Sequence, residues 1–143
     1  MLRAPHFIRL AEIDARHFIN GCRHGLVHLT WDRVTVRFTR DEFRRLAGLL
    51  ARSSASPEVL FRDGELEAAC HADRECELRL GSLTLTLALE EYHALGRAAQ
   101  EAVAQLDKIL DAGMWDQRGS DESEITPPPS ILERFRQHRF SEN

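Results

Sequence analysis

A pattern of thirteen residues occurs twice in this chain. Val34-Thr35-Val36-Arg37-Phe38-Thr39-Arg40-Asp41-Glu42-Phe43-Arg44-Arg45-Leu46 aligns with Leu83-Thr84-Leu85-Thr86-Leu87-Ala88-Leu89-Glu90-Glu91-Tyr92-His93-Ala94-Leu95 at a constant offset of 49 residues. Thr35/Thr84, Glu42/Glu91 and Leu46/Leu95 are identical, and Phe43/Tyr92 and Asp41/Glu90 are close exchanges. In each copy apolar and polar residues first alternate, then apolar residues recur at every third or fourth position. That change of period marks a strand running straight into a helix. The repeat therefore predicts an α+β fold. Internally duplicated β-β-(β)-α units form an antiparallel sheet of about five to seven strands with two helices on one face, followed by a C-terminal tail with a short helix.

Copy one is expected at about 17–52 and copy two at about 59–112, within a domain spanning 1–114. Val27, Leu29 and Trp31 share one strand parity, Asp32-Arg33 turns the chain, and Val34, Val36 and Phe38 share the parity of the return strand. His17-Phe18-Ile19 reads as a strand ending at Asn20-Gly21, a turn dipeptide. Thr39-Arg40-Asp41-Glu42 is a capping box: the Thr39 hydroxyl can accept from the Glu42 amide while Glu42 reaches back to the Thr39 amide. In copy two, Leu66, Ala68 and Cys70, then Cys76, Leu78 and Leu80, then Leu83, Leu85 and Leu87 share inward parities, with turns at Asp63-Gly64, Ala72-Asp73-Arg74 and Gly81-Ser82. Tyr92, Leu95, Ala99, Val103, Leu106 and Leu110 form the stripe of a helix of about 24 residues that stops before Gly113. At roughly 36 Å it is longer than a small sheet needs, and the overhang suggests a homodimer. Residues 115–129 are an acidic linker bearing Pro127-Pro128-Pro129, and 130–143 are a short amphipathic segment that Ser130 and Glu133 can cap.

Size and charge bound the function classes. A chain of 143 residues with 43% apolar and 29% charged residues is an ordinary globular domain. Its formal net charge of -4 and pI near 6.0 argue against a nucleic-acid partner, since binders usually carry a basic excess. No apolar leader or run of about 20 apolar residues occurs, so no membrane role is expected. Cys22, Cys70 and Cys76 are too few and too odd in number for a secreted disulfide framework. Reduced thiols and a cytoplasmic location follow as expectations, with Cys70 and Cys76 as small core residues.

No catalytic motif stands out: there is no G-x-S-x-G, P-loop or G-x-G-x-x-G. The pairs Asp41-Glu42 and Glu90-Glu91 sit in first helical turns, where capping and the helix dipole explain them. Cys22, His24 and His71 are the candidate metal or redox group, able to meet if the two copies pair side by side. Zinc or iron is the metal such ligands would take, although the spacing matches no zinc pattern. Otherwise no cofactor is expected.

The sheet face opposite the helices offers His28, Thr30, Thr35, Arg37, Arg79, Thr84 and Thr86, with His28, Arg37 and Arg79 as its binding candidates. The order of elements, strands and then one helix, twice, resembles in layout the PUR and whirly single-strand binders over residues 17–110. That resemblance implies single-strand binding on this face. Such platforms stack bases on aromatic rings, whereas Trp31 and Phe38 read as inward. The segment after the linker gives the sharper expectation, a docking helix in which Ile131, Leu132 and Phe135 present an apolar face and Arg136 and Arg139 flank it. The chain is thus expected to be a small non-catalytic accessory or adaptor protein that binds another protein. A metal- or redox-responsive protein and a single-strand binder are the alternatives.

Overall fold

Eight strands and two helices follow from the two periodicities. In chain order they are β1 (Phe7–Asp14), β2 (His17–Cys22), β3 (Leu26–Trp31), β4 (Val34–Thr39), α1 (Arg40–Ala55), β5 (Leu60–Asp63), β6 (Leu66–Cys70), β7 (Cys76–Leu80), β8 (Leu83–Leu87) and α2 (Leu89–Asp111). The structure, a computed structural model, describes residues 7–71 and 75–112. The linker 115–129, the segment 130–143, the helix stop at Gly113 and the turn at Ala72-Asp73-Arg74 lie outside the described residues. None of the described helices is long and apolar enough to cross a membrane.

The α+β class, the antiparallel pairing and the duplicated unit are as the repeat predicts. Each unit has four strands before its helix, and the strands form two four-stranded meanders, β1-β2-β3-β4 and β5-β6-β7-β8, rather than one continuous sheet. The additional strand is β1. Its register against β2 shifts between Arg9 and Ala11 and again between Glu12 and Asp14. Such bulges break period-two alternation, so pattern alone does not show the strand. The β2 strand also runs through Asn20-Gly21 to Cys22, and the chain turns one step later, where the Gly25 amide donates to the Cys22 carbonyl.

Hairpin geometry explains the other turns. Leu80 pairs with Leu83 across Gly81-Ser82, and Gly81 has a φ of 69°. A positive φ at the first loop position suits the right-handed twist of the flanking strands. The equivalent residue of copy one is Asp32, with a φ of 56°, a conformation Asp tolerates better than most side chains.

Helix α1 follows the edge strand β4 directly, and α2 follows the edge strand β8 after the single residue Ala88. At α1 the full capping box forms: the Glu42 amide donates to Thr39 Oγ1 over 3.1 Å and the Thr39 amide donates to Glu42 Oε1 over 2.8 Å. At α2 the equivalent cap is Ala88, whose methyl group cannot accept a hydrogen bond. Only the return bond survives, from the Ala88 amide to Glu91 Oε1 over 2.9 Å.

With no loop to turn them back, the helices leave the edge of their own sheet and cover the other one. The α1 helix lies mainly on β6 and β5, and α2 lies mainly on β1 and β2. One hydrophobic core results, drawing Ile19, Leu29, Val36 and Phe38 from the first sheet, Leu66, Leu78, Leu80 and Leu87 from the second, and residues of both helices. Each fully buried Leu in it contributes about 1.5–3 kcal/mol by leaving water.

The helices run antiparallel against each other. A Cβ added at Gly96 would lie 4.0 Å from Leu50 Cβ and from Ser54 Oγ, and Gln100 Nε2 donates to the Ala47 carbonyl over 3.0 Å. At one end of this seam the Tyr92 hydroxyl hydrogen-bonds Ser53 Oγ, both side chains being buried. Burial raises the Tyr92 pKa despite that bond. At the 49-residue offset the same pair in the other copy is Phe43 with Ala102: both the hydroxyl and its partner are gone together.

This pairing predicts a non-additive mutant cycle. Tyr92→Phe leaves Ser53 bonded to the Leu50 carbonyl and should cost about 0.5–1.5 kcal/mol, whereas Ser53→Ala strands a buried phenol and should cost about 1–3 kcal/mol. The double variant recreates the Phe/Ala chemistry of the other copy, so its cost should fall below the sum of the singles by at least ~0.5 kcal/mol. Urea unfolding of the four proteins measures this. Additive costs would show that the two hydroxyls do not act as a pair.

Candidate binding surface

The core occupies one face of each sheet, so alternation places every second strand residue on the outer face. On the first sheet the register brings Arg9, Asn20, His28 and Arg37 into one row across all four strands, with Glu12, Phe18, Thr30 and Thr35 in the next. These side chains are not independent. The Arg9 guanidinium lies 3.8 Å above the Phe18 ring, a cation–π contact. Its Nε donates to Asn20 Oδ1 over 2.8 Å, and its Nη1 pairs with Glu12. Phe7, 54% exposed, meets His28 edge to face with ring centroids 5.2 Å apart. Thr30 and Thr35 share a hydroxyl bond of 3.1 Å. Arg37 has no ion-pair partner among the described residues.

Burial lowers the His28 pKa first, and the positive charge of Arg37 lowers it further. The ring is therefore neutral at pH 7, and its Nε2 has no hydrogen-bond partner among the described residues. A planar neutral ring, two phenyl rings and two guanidinium groups thus share one open surface.

The second sheet gives an internal comparison. Its outer rows are Arg62, Glu67, Arg79 and Thr84, then Leu60, Ala69, Glu77 and Thr86. Glu67 lies between two arginines, 3.1 Å from Arg62 Nε and 4.0 Å from Arg79 Nη1. That face neutralises itself and carries no aromatic ring. Of the three sheet-face candidates, the structure makes His28 and Arg37 direct cross-strand partners and puts Arg79 on the other sheet.

Phe7 and Phe18 were not legible as outward rings in the sequence, and this changes the character of the face. Phe7 stands in the bulged strand. Phe18 stands in a strand that the Asn20-Gly21 dipeptide makes seem too short to assign a parity. The signal that could have found Phe18 is the buried parity of its neighbour Ile19, which pairs with Leu29.

The cysteine and histidine candidates do not converge. Cys22 is buried at the end of β2, His24 lies in the turn after it, and His71 follows β6 with its Nδ1 3.1 Å from Glu58 Oε2. Among the described residues no group of three or more His, Cys, Asp or Glu side chains could hold a metal ion. Cys70 and Cys76 are buried core residues as their parity predicts, but they are not free thiols: they form a disulfide. They are directly opposed on β6 and β7 with Cα atoms 4.2 Å apart, the close approach of a non-hydrogen-bonded pair. The docking candidates Ile131, Leu132, Phe135, Arg136 and Arg139 lie outside the described residues.

A further departure from the repeat lies at the other end of the first sheet. Where copy two has the buried pair Leu66 and Leu80, copy one has His17 and Trp31, whose rings meet at a tilt of 54° with centroids 4.2 Å apart. His17 Nδ1 is 2.7 Å from Asp14 Oδ1, and its Nε2 is 3.1 Å from Asp32 Oδ1 without an aligned hydrogen bond. The Asp14 carboxyl is held below its usual pKa, chiefly by the Arg16 amide and also by His17.

No protein-family model, curated protein or solved structure matches the chain.

The His28 environment sets a pH dependence. A depressed histidine pKa means that the folded state binds fewer protons than the unfolded chain below pH 6.5. Its contribution is intact above pH 6.5 and is lost as pH falls from there toward the folded pKa. Melting curves between pH 7.5 and 5 should show His28→Gln losing less stability on acidification than the parent protein. Parallel losses would place His28 in water.

Proposed function

We propose that this protein is a non-catalytic binding module that holds an unpaired nucleic-acid strand on the outer face of its first sheet. The observation that supports it is the grouping of Phe7, Phe18 and His28 with Arg9 and Arg37 on that face, set against the ring-free, self-neutralised face of the second sheet. Single-strand platforms combine stacking surfaces with cations that follow the backbone. Bases stack on aromatic rings and on guanidinium planes alike. In this reading the Arg9 plane, already resting on Phe18, offers its free side to one base, the exposed Phe7 takes another, and the unpaired Arg37 meets a phosphate. Asn20, Thr30 and Thr35 supply neutral donors and acceptors. The net charge of -4 is a property of the whole surface, whereas binding depends on the local field of this one.

Fluorescence anisotropy with labelled oligothymidylate and oligouridylate tests the proposal. The one phosphate neutralised by Arg37 gives a log–log salt slope of about -0.7. Arg37→Ala should bring that slope close to zero. Phe7→Ala should weaken binding by about 1–3 kcal/mol, the cost of a lost stack. Arg79→Ala should change nothing, because Glu67 already neutralises that side chain. The proposal fails if neither oligonucleotide binds, or if Arg79→Ala weakens binding as much as Arg37→Ala.

A second reading, a protein adaptor, is favoured by a separate observation, the edge strand β8, whose Leu-Thr-Leu-Thr-Leu sequence carries no charge, proline or bulge.

A further inference from the structure

The β3–β4 pair holds a histidine where an incoming anion is what favours its charge. His28 and Arg37 are directly opposed across the two strands, and the Cβ atoms of such a pair stand roughly 5 Å apart. The neighbours of the ring on every strand are neutral or cationic. On β4 they are Arg37, Thr35 and Thr39, on β2 Asn20, Phe18 and the buried Cys22, and on β1 Phe7 and Arg9. Leu26 and Thr30 flank it on β3 itself. In the two rows of this face the one carboxylate is Glu12, and Arg9 already pairs with it. At the 49-residue offset the same cross-strand pair on the second sheet is Glu77 with Thr86, so the arrangement belongs to the first sheet alone.

A phosphate seated beside Arg37 reverses the balance of charge around the imidazole. It cancels the guanidinium charge that opposes protonation and sets a negative charge next to the ring. Proton and phosphate then assist each other, and each raises the affinity for the other by the same factor. Histidine is the side chain whose charge changes near neutral pH.

We infer that His28 is a proton-linked second cation of the strand-binding face, tightening its hold on phosphate as the medium becomes acidic. This rests on the proposed function and adds the regulation of that site. The sign follows from linkage. Burial and Arg37 hold the free ring below its ordinary pKa, and the bound phosphate raises it. Affinity therefore climbs as pH falls through the bound-state pKa and levels off below the free-state one.

Anisotropy of the full chain with labelled oligothymidylate at pH 7.5, 6.5 and 5.5 tests this, since thymine takes up no proton in that range. Affinity should rise about fivefold or more, the lower end of ordinary coupling between two sites. His28→Gln should lose the rise and bind equally at all three pH values, whereas His93→Gln, on α2, should keep it. Nuclear magnetic resonance of the His28 ring, titrated with and without oligothymidylate, reads the linkage without a variant: its pKa should be higher in the complex. The inference is overturned if the oligonucleotide binds with an affinity that ignores pH, if His28→Gln keeps the parent's response, or if the ring titrates alike in the free and bound protein. Binding at no pH would remove the proposed function as well, whereas pH-independent binding leaves that function standing.

Discussion

Neither repeat unit encloses its own apolar face, and this constraint governs the molecule. Each helix starts at the end of an edge strand, N-capped by Thr39 and by Ala88, and is delivered onto the opposite sheet. The interior is therefore shared. Phe38 of the first sheet meets Phe43 of α1, while the α2 stripe of Leu95, Ala99, Ala102 and Leu106 is buried in the same core. Two meanders that make no sheet contact with each other are held as one body by the crossing helices and the antiparallel seam between them. Among the described residues no element covers the outer faces, because both helices occupy the inner ones.

Within that frame several differences between the two copies come in pairs. The hydroxyl of Tyr92 comes with Ser53, and its absence in Phe43 comes with Ala102. The left-handed turn position is Gly81 in one copy and Asp32 in the other. The apolar contact of Leu66 and Leu80 is replaced by His17 and Trp31, with Asp14 and Asp32 on the imidazole. The salt-bridged outer face of the second sheet corresponds to a face of rings and guanidinium groups on the first. An interior pair must change together because a buried hydroxyl without a partner is expensive. The outer side chains are coupled to one another rather than to the core, so interior packing does not set their difference.

Much of this was readable in the amino-acid sequence, for physical reasons. The strands with strict alternation, the turns at Asp32-Arg33 and Gly81-Ser82 and the Thr39 capping box rest on local rules, and the structure reproduces them. Of the expected α2 stripe Tyr92, Leu95, Ala99 and Leu106 are buried, while Val103 and Leu110 are half-buried and Ala102 and Ile109 take the core positions beside them. The missed elements involve competition between local and tertiary effects. The two bulges of β1 erase its period. Asn20-Gly21 is a turn dipeptide by preference but lies inside β2, where Asn20 and Gly21 pair with His28 and Val27. Consequently Phe7 and Phe18 could not be assigned to a face. The Cys70–Cys76 pairing needed the register of β6 against β7, and the grouping of His28 with Arg37 apart from Arg79 needed the division into two sheets. Composition and spacing encode neither.

The shared interior is tested most directly by cutting the chain between the units. Fragments 1–57 and 58–143, prepared separately, each keep one sheet and one helix but lose the helix that covers that sheet. The account predicts that neither fragment alone shows a cooperative thermal transition as a monomer, and that mixing them in equal amounts restores one transition and the far-ultraviolet dichroism of the intact chain. A monomeric fragment that melts cooperatively on its own, unchanged by adding the other, would contradict it.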